Sequence, residues 1–340
     1  MSRRGASFLV CALATICIGY YAYGLVAQDK LRHRDYFARY LVDANELAIV
    51  FVVLDEEDHD VIVRYERSTG MTRYFTAAPY NLRHPSLEKD GTLTLVMRPS
   101  EVKGTSTIVS CTVTPLDCRK VFETEMGISS TLALGDGRYL AAMSPYRDGL
   151  AKNKYAQNEI FLVTPGQSAH ALTSFSAYGL GSIGRIGNRL FFSALGLRGR
   201  PGADALEPDN EVFTGDWSGD ENAITSIEKF KPFDEITIAP GASNPSIAPD
   251  GSILVAGTGY ERNGVIVIHD FESGSNVLHN LPPDRRAHAV AVTGHQLTWI
   301  EIDSDRFTIV DFDLRNGARH VSAEFAGSSF RKKPERVSVH

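Results

Sequence analysis

The chain has 340 residues, of which 43% are hydrophobic and 22% are charged, and its formal net charge is −6. This mildly acidic balance gives no support to nucleic-acid binding, which requires a basic face, so we expect no nucleic-acid partner. The length beyond the N-terminal segment, roughly 300 residues, suits a single all-β domain with a well-buried core.

The N-terminus contains a long apolar segment. Residues 5–28 include no charged side chain, and two arginines precede them. A helix of about 20 such residues can span a bilayer, and three tyrosines near the end of the segment suit its far interface. We therefore predict a signal-anchor or transmembrane helix over 1–28, with a cleaved signal peptide as the alternative. Residues 29–43 are predicted to form a helical stalk or linker.

A short phrase recurs along the rest of the chain at intervals of 44 to 63 residues. The clearest copy, Asn-Pro-Ser-Ile-Ala-Pro-Asp-Gly at 244–251, leads into an apolar strand. A second, less complete copy lies at 84–91. β-Branched and aromatic hairpins lie between the copies, and this period is typical of propeller blades. We predict an all-β, six-bladed β-propeller over 44–322 and a polar, disordered tail over 323–340. The aligned turns lie at Ala44, Asp90, Asp136, Gly187, Asp250 and Gly294.

The two ends of the repeat region complement each other. The first strand, at 47–53, has no hairpin before it, and the last hairpin, at 307–321, has no inner strand after it. Pairing these two segments would bury two open sheet edges. We predict that the N-terminal strand completes the last blade.

The phrase Pro-Ser-x-x-Pro-Asp-Gly ahead of an apolar strand, complete at 245–251, resembles the repeat of TolB-type, WD40-like propellers. The copy at 84–91 keeps the Pro, the Ser, the Asp and the Gly. The resemblance implies a six-bladed propeller in the periplasm. It implies no particular activity, because propellers serve as enzymes, ligand binders and docking platforms alike.

The cysteines also bear on location. Cys111 and Cys118 flank the turn of the second outer hairpin. Facing positions on antiparallel strands come within disulfide reach, so we predict a disulfide in an oxidising compartment; two unpaired small hydrophobic residues are the alternative.

The basic residues that follow the apolar segment would instead keep the propeller in the cytoplasm by the positive-inside rule. We predict a single-pass protein of the inner membrane with its propeller on the periplasmic side.

Three polar residues, His84, Asn244 and His288, open aligned inner strands. Because inner strands border the central channel, we predict that these side chains converge on one channel rim as binding residues. Converging histidines could hold a metal or act as general bases; the alternative is that they hydrogen-bond water in a wet channel. No second Cys pair or His pair at ligand spacing accompanies Cys111 and Cys118, which argues against zinc, and we predict no metal and no cofactor.

Trp217 lies in the loop of the longest repeat step. We predict it as a surface contact for a partner or a sugar, with a packed loop anchor as the alternative. The segment 179–184 matches G-x-G-x-x-G, but strand-like residues follow where dinucleotide binding needs a helix.

These features favour a non-enzymatic platform. No nucleophile motif or complete metal set is recognisable in the sequence, so we assign no catalytic residue. We predict a membrane-tethered propeller that docks an envelope protein or a glycan. The alternative is a propeller enzyme, a lyase or hydrolase that acts on a carbohydrate or small molecule at the mouth of the channel.

Overall fold

The computed structural model describes residues 42–54, 60–77, 80–99, 105–113, 116–145, 158–177, 179–195, 211–234, 243–258, 265–282, 290–303, 306–326 and 335–336. The apolar segment predicted as an anchor, 1–28, lies outside these ranges. The one helix within them, α1 (Lys231–Asp234), has four residues. No helix in this part of the chain is long and apolar enough to cross a membrane.

The described strands form six sheets, each built on four consecutive antiparallel strands, and these sheets are the blades of a six-bladed β-propeller, as predicted. Each blade takes four consecutive strands, and the first strand of each lies nearest the axis. Blades 1 to 3 comprise β1 (Val42–Ala44), β2 (Ala48–Leu54), β3 (Asp60–Glu66) and β4 (Thr72–Thr76); β5 (Tyr80–Leu87), β6 (Leu93–Pro99), β7 (Ser106–Val113) and β8 (Leu116–Thr124); and β9 (Gly127–Ala133), β10 (Tyr139–Ser144), β11 (Glu159–Val163) and β12 (His170–Ala171). Blades 4 to 6 comprise β13 (Gly179–Ile186), β14 (Arg189–Leu195), β15 (Glu211–Asp216) and β16 (Thr225–Lys229); β17 (Ser243–Ile247), β18 (Ile253–Thr258), β19 (Val265–Asp270) and β20 (Asn276–Asn280); and β21 (Val290–Thr293), β22 (Gln296–Asp303), β23 (Arg306–Asp313) and β24 (Ala318–Ala326).

The Asp-Gly turn of the recurring phrase joins the first and second strands of a blade. The Oδ1 atoms of Asp90, Asp136 and Asp250 each accept the backbone N–H two residues further on, at 2.9 to 3.0 Å. Gly251 then takes a φ of 74°, a conformation that disfavours any side chain. A Cβ there would also lie 2.9 Å from Ile186 of the preceding blade. The phrase therefore encodes both the turn and the close approach of neighbouring blades.

Consecutive blades pack face to face through apolar side chains. Between blades 3 and 4, Phe192 stacks on Phe175 and Phe213 with ring centroids 5.6 and 6.0 Å apart. Comparable apolar clusters join blades 1 and 2, 2 and 3, 4 and 5, and 5 and 6. This packing holds the first strands of the blades around the axis.

The predicted exchange of a strand between the two ends of the chain is wrong. β2, which contains most of residues 47–53, pairs with β1 and β3 inside blade 1. The hairpin at 307–321 belongs to blade 6, whose own first strand is β21. The prediction failed because β1 has only three residues and lies where a stalk was expected. β1 supplies the first strand of blade 1, so no strand has to be borrowed.

Side chains join blade 6 to blade 1 at what we call the closing seam, formed by Arg67, Thr298 and Asp311. Arg67 at the end of blade 1 donates from Nη1 to Asp311 Oδ2 at 2.8 Å and from Nη2 to Asp311 Oδ1 at 3.2 Å. Its Nη2 also donates to Thr298 Oγ1 at 2.8 Å. A bidentate guanidinium–carboxylate pair is geometrically specific, so these bonds fix how the two blades meet.

Further contacts extend along the same boundary. The Tyr65 hydroxyl donates to the Ser322 carbonyl at 2.9 Å, and the Tyr65 ring meets Phe325 edge-on at 6.4 Å. Strands run from Val42 to Ala326, slightly beyond the predicted limits of 44–322. Within the predicted tail, β25 (Glu335–Arg336) pairs in parallel with β4, opposite Phe75 and Thr76. The chain thus returns from the last blade to the outer edge of the first.

Candidate functional site

A cavity of about 700 Å³ lies on the propeller axis and is the candidate binding site. Its wall is formed by the first strands of all six blades and by the turns that follow several of them. Most wall residues carry hydroxyl or aliphatic side chains. They include Ser86, Ser130, Thr131, Ile183, Ser246, Ile247, Val290, Val292 and Thr293.

Local backbone irregularities shape this wall. In β5 the register with β6 shifts between Arg83 and Ser86, so that His84 and Pro85 stand opposite a single residue. β17 shows the same shift, with residues 244 and 245 in the extra space, and β9 and β13 are also irregular. β-Bulges redirect side chains and are common beside functional sites. His84 and Asn244 therefore occupy equivalent places in two blades, as the sequence alignment predicted.

His84 lines the cavity as a half-buried, neutral side chain. Its φ of 50° lies in the left-handed region, which is unusual for a residue with a side chain. Removal from water, together with the positive charges of Arg83 and Arg98, lowers the pKa of His84 to about 3. The imidazole is consequently uncharged at neutral pH, and it is a weak base there.

Asp43 contributes a half-buried carboxylate to the cavity wall, and it is not among the site residues predicted from the sequence. The half-buried side chain accepts the Leu87 N–H at Oδ2 (2.7 Å) and the Ala44 N–H at Oδ1 (2.9 Å), and the Ser86 hydroxyl also hydrogen-bonds to it. Burial raises its pKa to about 6, against the lowering effect of these hydrogen bonds. The position of Asp43 in its strand was the one signal that could have identified it. Asp43 lies one residue before the last paired residue of β1, and Ser86 and Ser246 lie at the equivalent places in β5 and β17.

The other predicted site residues are distributed as follows. Asn244 is part of the β17 bulge, and its neighbours Pro245 and Ser246 line the cavity. His288 lies outside the described residues. Among the residues that the structure describes, no three His, Cys, Asp or Glu side chains are grouped so that they could hold a metal ion.

Trp217 is not a surface residue, and the alternative of a packed loop anchor is the correct one. The side chain is fully buried, and its Nε1 donates to the Asp220 carbonyl at 2.8 Å. The Arg185 guanidinium covers the indole ring at 4.8 Å from its centroid. Trp217 is buried because its loop folds back onto blades 3 and 4 and brings the indole into their shared apolar cluster.

Cys111 and Cys118 are joined by a disulfide. They face each other across β7 and β8, in the hairpin that the sequence analysis had singled out. Both are fully buried within the apolar cluster between blades 1 and 2. The bond therefore links β7 to β8 within the outer hairpin of blade 2.

No protein-family model matches the sequence, and no curated protein matches it. Solved structures do match the fold. TolB from Acinetobacter baumannii is similar with a TM-score of 0.58 and 11% identity, over 80% of this chain and 62% of TolB. A puromycin hydrolase is similar with a TM-score of 0.55 and 12% identity, over 84% of this chain and 53% of that protein. A chain of a nidogen/laminin complex is similar with a TM-score of 0.53 and 10% identity, over 86% and 94% of the two chains.

These similarities establish a shared propeller fold. The chain spans less than two thirds of the length of TolB and of the puromycin hydrolase. The names of the similar proteins include a hydrolase and a protein–protein complex, so the fold by itself selects no function.

Proposed function

We propose that this protein is a membrane-tethered, extracytoplasmic propeller that binds an envelope protein or a glycan in its central cavity and catalyses no reaction there. The observation that carries the proposal is the chemistry of the cavity wall. Hydroxyl and aliphatic groups from six blades surround a space of about 700 Å³. Such a surface suits recognition of a polar or amphipathic ligand.

Two titratable groups of the cavity wall, His84 and Asp43, support binding over catalysis. Efficient proton transfer at neutral pH needs a pKa near 7, and the pKa of His84 is about 3. Asp43 has both carboxylate oxygens engaged by backbone N–H groups. His84 is therefore a poor proton carrier at neutral pH, and the hydrogen-bonded carboxylate of Asp43 is placed to polarise the cavity.

The location is proposed on separate grounds. The uncharged segment at 5–28 is long enough for a bilayer-spanning helix. The Cys111–Cys118 disulfide is of the kind that persists in oxidising compartments such as the periplasm. Fusion of an alkaline phosphatase reporter to the C-terminus tests this location. Activity in the membrane fraction supports it, and an inactive reporter contradicts it.

The alternative function, an enzyme with its site at the mouth of the channel, is favoured by one observation. His84 holds a left-handed backbone conformation at the cavity wall, and strained residues are concentrated at active sites. If the cavity only binds a ligand, neither the wild type nor His84→Ala should show hydrolase or lyase activity. Turnover of a carbohydrate substrate that disappears in His84→Ala would overturn the proposal.

Site-specific photo-crosslinking in intact cells tests binding. A photoreactive phenylalanine analogue replaces Leu47, which borders the cavity and is 50% exposed. The matched control replaces Val277, which is 53% exposed on an outer strand away from the cavity. We expect a discrete adduct at residue 47 that is absent at residue 277. Equal labelling at both positions, or none at residue 47, contradicts binding at the cavity.

A further inference from the structure

We propose that the central cavity recognises a primary ammonium group on an aliphatic stem, such as a lysine side chain, with Asp43 as its counter-ion. This inference rests on the proposed function, because it names the ligand chemistry of the same cavity. It depends on three features of the wall: an unneutralised carboxylate, a negative surrounding charge and an aliphatic surface.

The carboxylate of Asp43 is compensated only by dipoles. Its hydrogen-bond partners are the backbone N–H groups of Leu87 and Ala44 and the Ser86 hydroxyl. Within the described ranges, no Lys or Arg side chain forms an ion pair with it. A carboxylate accepts about four hydrogen bonds, so Asp43 retains capacity for another donor.

The charged side chains that line the cavity are predominantly acidic. The Arg185 guanidinium covers the Trp217 ring, and its Nε donates to the Gly187 carbonyl, so its contacts lie within its own blade. The strands β9 and β21 contribute no charged residue to the wall. The remaining charged or titratable wall residues are Glu46, His84, Glu88, Lys89, Arg185 and Asp250. With Asp43 included and His84 neutral, the lining has four acidic groups and two basic ones. Arg83 and Arg98, whose charges lower the pKa of His84, do not line the cavity.

The three classes of ligand differ in what they do to Asp43. An anion would add repulsion to a site that is already negative. A neutral ligand would remove the remaining water from the carboxylate and return no charge, which is costly. An ammonium group replaces that water with N–H donors and an opposite charge.

The wall also accommodates a hydrocarbon stem. Ile183, Ile247 and Val292 line the cavity from blades 4, 5 and 6, whereas Asp43 lies on blade 1. A lysine side chain or an aliphatic diamine places methylene groups on apolar surface while its charged end reaches a polar group. A lysine side chain of a protein and a free aliphatic diamine both carry an ammonium group on a hydrocarbon stem, and the titration described below distinguishes between these two ligands.

Calorimetric titration of the full-length protein with four probes tests the inference. Cadaverine and the peptide acetyl-Ala-Ala-Lys-Ala-Ala-amide carry the ammonium; 1-pentanol and the peptide with norleucine in place of lysine are the neutral counterparts. We expect each ammonium probe to bind at least about tenfold more tightly than its counterpart, as one close ion pair allows. A peptide preference without cadaverine binding identifies a protein lysine, and the converse identifies a free diamine.

The pH dependence supplies a second readout. The ammonium requires ionised Asp43, whose pKa is about 6 in the empty cavity. Affinity should therefore fall about tenfold between pH 8 and pH 5, because protons compete for the carboxylate. His84, with a pKa of about 3, stays neutral throughout this window.

Matched variants complete the design. Asp43→Asn should remove the preference for ammonium, and Glu324→Gln, an exposed change on an outer strand, should keep it. Ser246→Leu narrows the cavity without changing its charge and should weaken all probes, so it serves if Asp43→Asn fails to fold. Equal binding of charged and neutral probes, or ammonium preference that survives in Asp43→Asn, overturns the inference. Failure of every probe overturns it too, while crosslinking at residue 47 still decides the proposed function.

Discussion

Removal of Arg67 should weaken the whole ring, because the closing seam has a buried charge at its centre. The Arg67 and Asp311 side chains are 16% and 4% exposed. Burial opposes ionisation of Asp311, yet hydrogen bonds from Arg67, Ser322 and Thr298 lower its pKa. In Arg67→Ala this carboxylate stays buried without its cation. Breaking one side of a buried pair costs about 3 to 5 kcal/mol. We expect Arg67→Ala to lose about 3 kcal/mol, the lower end of this range, because the Thr298 and Ser322 hydroxyls still donate to Asp311.

Urea unfolding followed by tryptophan fluorescence measures this loss. Trp217 and Trp299, the two tryptophans of the chain, are buried in different blades and report on the core. The control is Arg315→Ala, which breaks a pair with Asp313 whose arginine is 69% exposed. A solvent-exposed ion pair contributes little to stability, so Arg315→Ala should unfold at nearly the same urea concentration as the wild type.

A second variant separates the buried charge from lost packing. In Arg67→Met with Asp311→Asn, neither charge remains, so stability should recover by about 1 kcal/mol or more relative to Arg67→Met alone. Equal unfolding midpoints for Arg67→Ala and Arg315→Ala would refute the role of the seam. Failure of the second substitution to restore any stability would refute the charge explanation.

Three further predictions concern other parts of the fold. Replacement of Cys111 and Cys118 by Ala should cost about 2 to 3 kcal/mol without preventing folding, because the disulfide closes a short loop; free-thiol labelling of the unreduced, denatured wild type should find neither residue reactive. Because the pKa of Asp43 rises from 3.8 to about 6 on folding, its contribution to stability is complete below pH 3.8 and is lost as pH rises through 6. Relative to Asp43→Asn, the wild type should therefore lose up to about 3 kcal/mol between pH 4 and pH 8, and parallel pH profiles would contradict this. Deletion of residues 327–340 exposes the edge of β4 that β25 covers, so light scattering should detect more self-association than in the wild type, whereas an unchanged monomer would show that the edge needs no cover.

The sequence predicted the number of blades because its turns have a strict local chemistry. Asp90, Asp136 and Asp250 each bond to the backbone two residues further on, and this requirement is visible wherever Asp-Gly precedes an apolar strand. The ends of the ring have no comparable signal. β1 has three residues, too few for a recognisable alternation, and the Arg67–Asp311 pair joins residues 244 positions apart.

The candidate site was only partly predictable for a related reason. His84 and Asn244 share a local motif, so their equivalence was visible in the sequence. Asp43 belongs to the same level of the cavity, but only the packing of β1 against β5 brings its carboxylate to the Leu87 N–H. The prediction that Trp217 is exposed was wrong because the burial of a loop side chain depends on tertiary contacts, which leave no periodic pattern in the sequence.

Because every blade is built from a contiguous piece of chain, the order of synthesis becomes an order of assembly. The four consecutive strands of blade 1 are available once residue 76 has been made, and each later sheet needs only its own residues and the face of the blade before it. Most strand pairs form between neighbours in sequence, which favours rapid folding. A chain that leaves a ribosome or a translocation channel with its N-terminus first can therefore fold blade by blade. Two steps must wait for the C-terminal part of the chain. Blade 6 docks on blade 1 through side chains of the closing seam, and β25 pairs with the outer edge of β4.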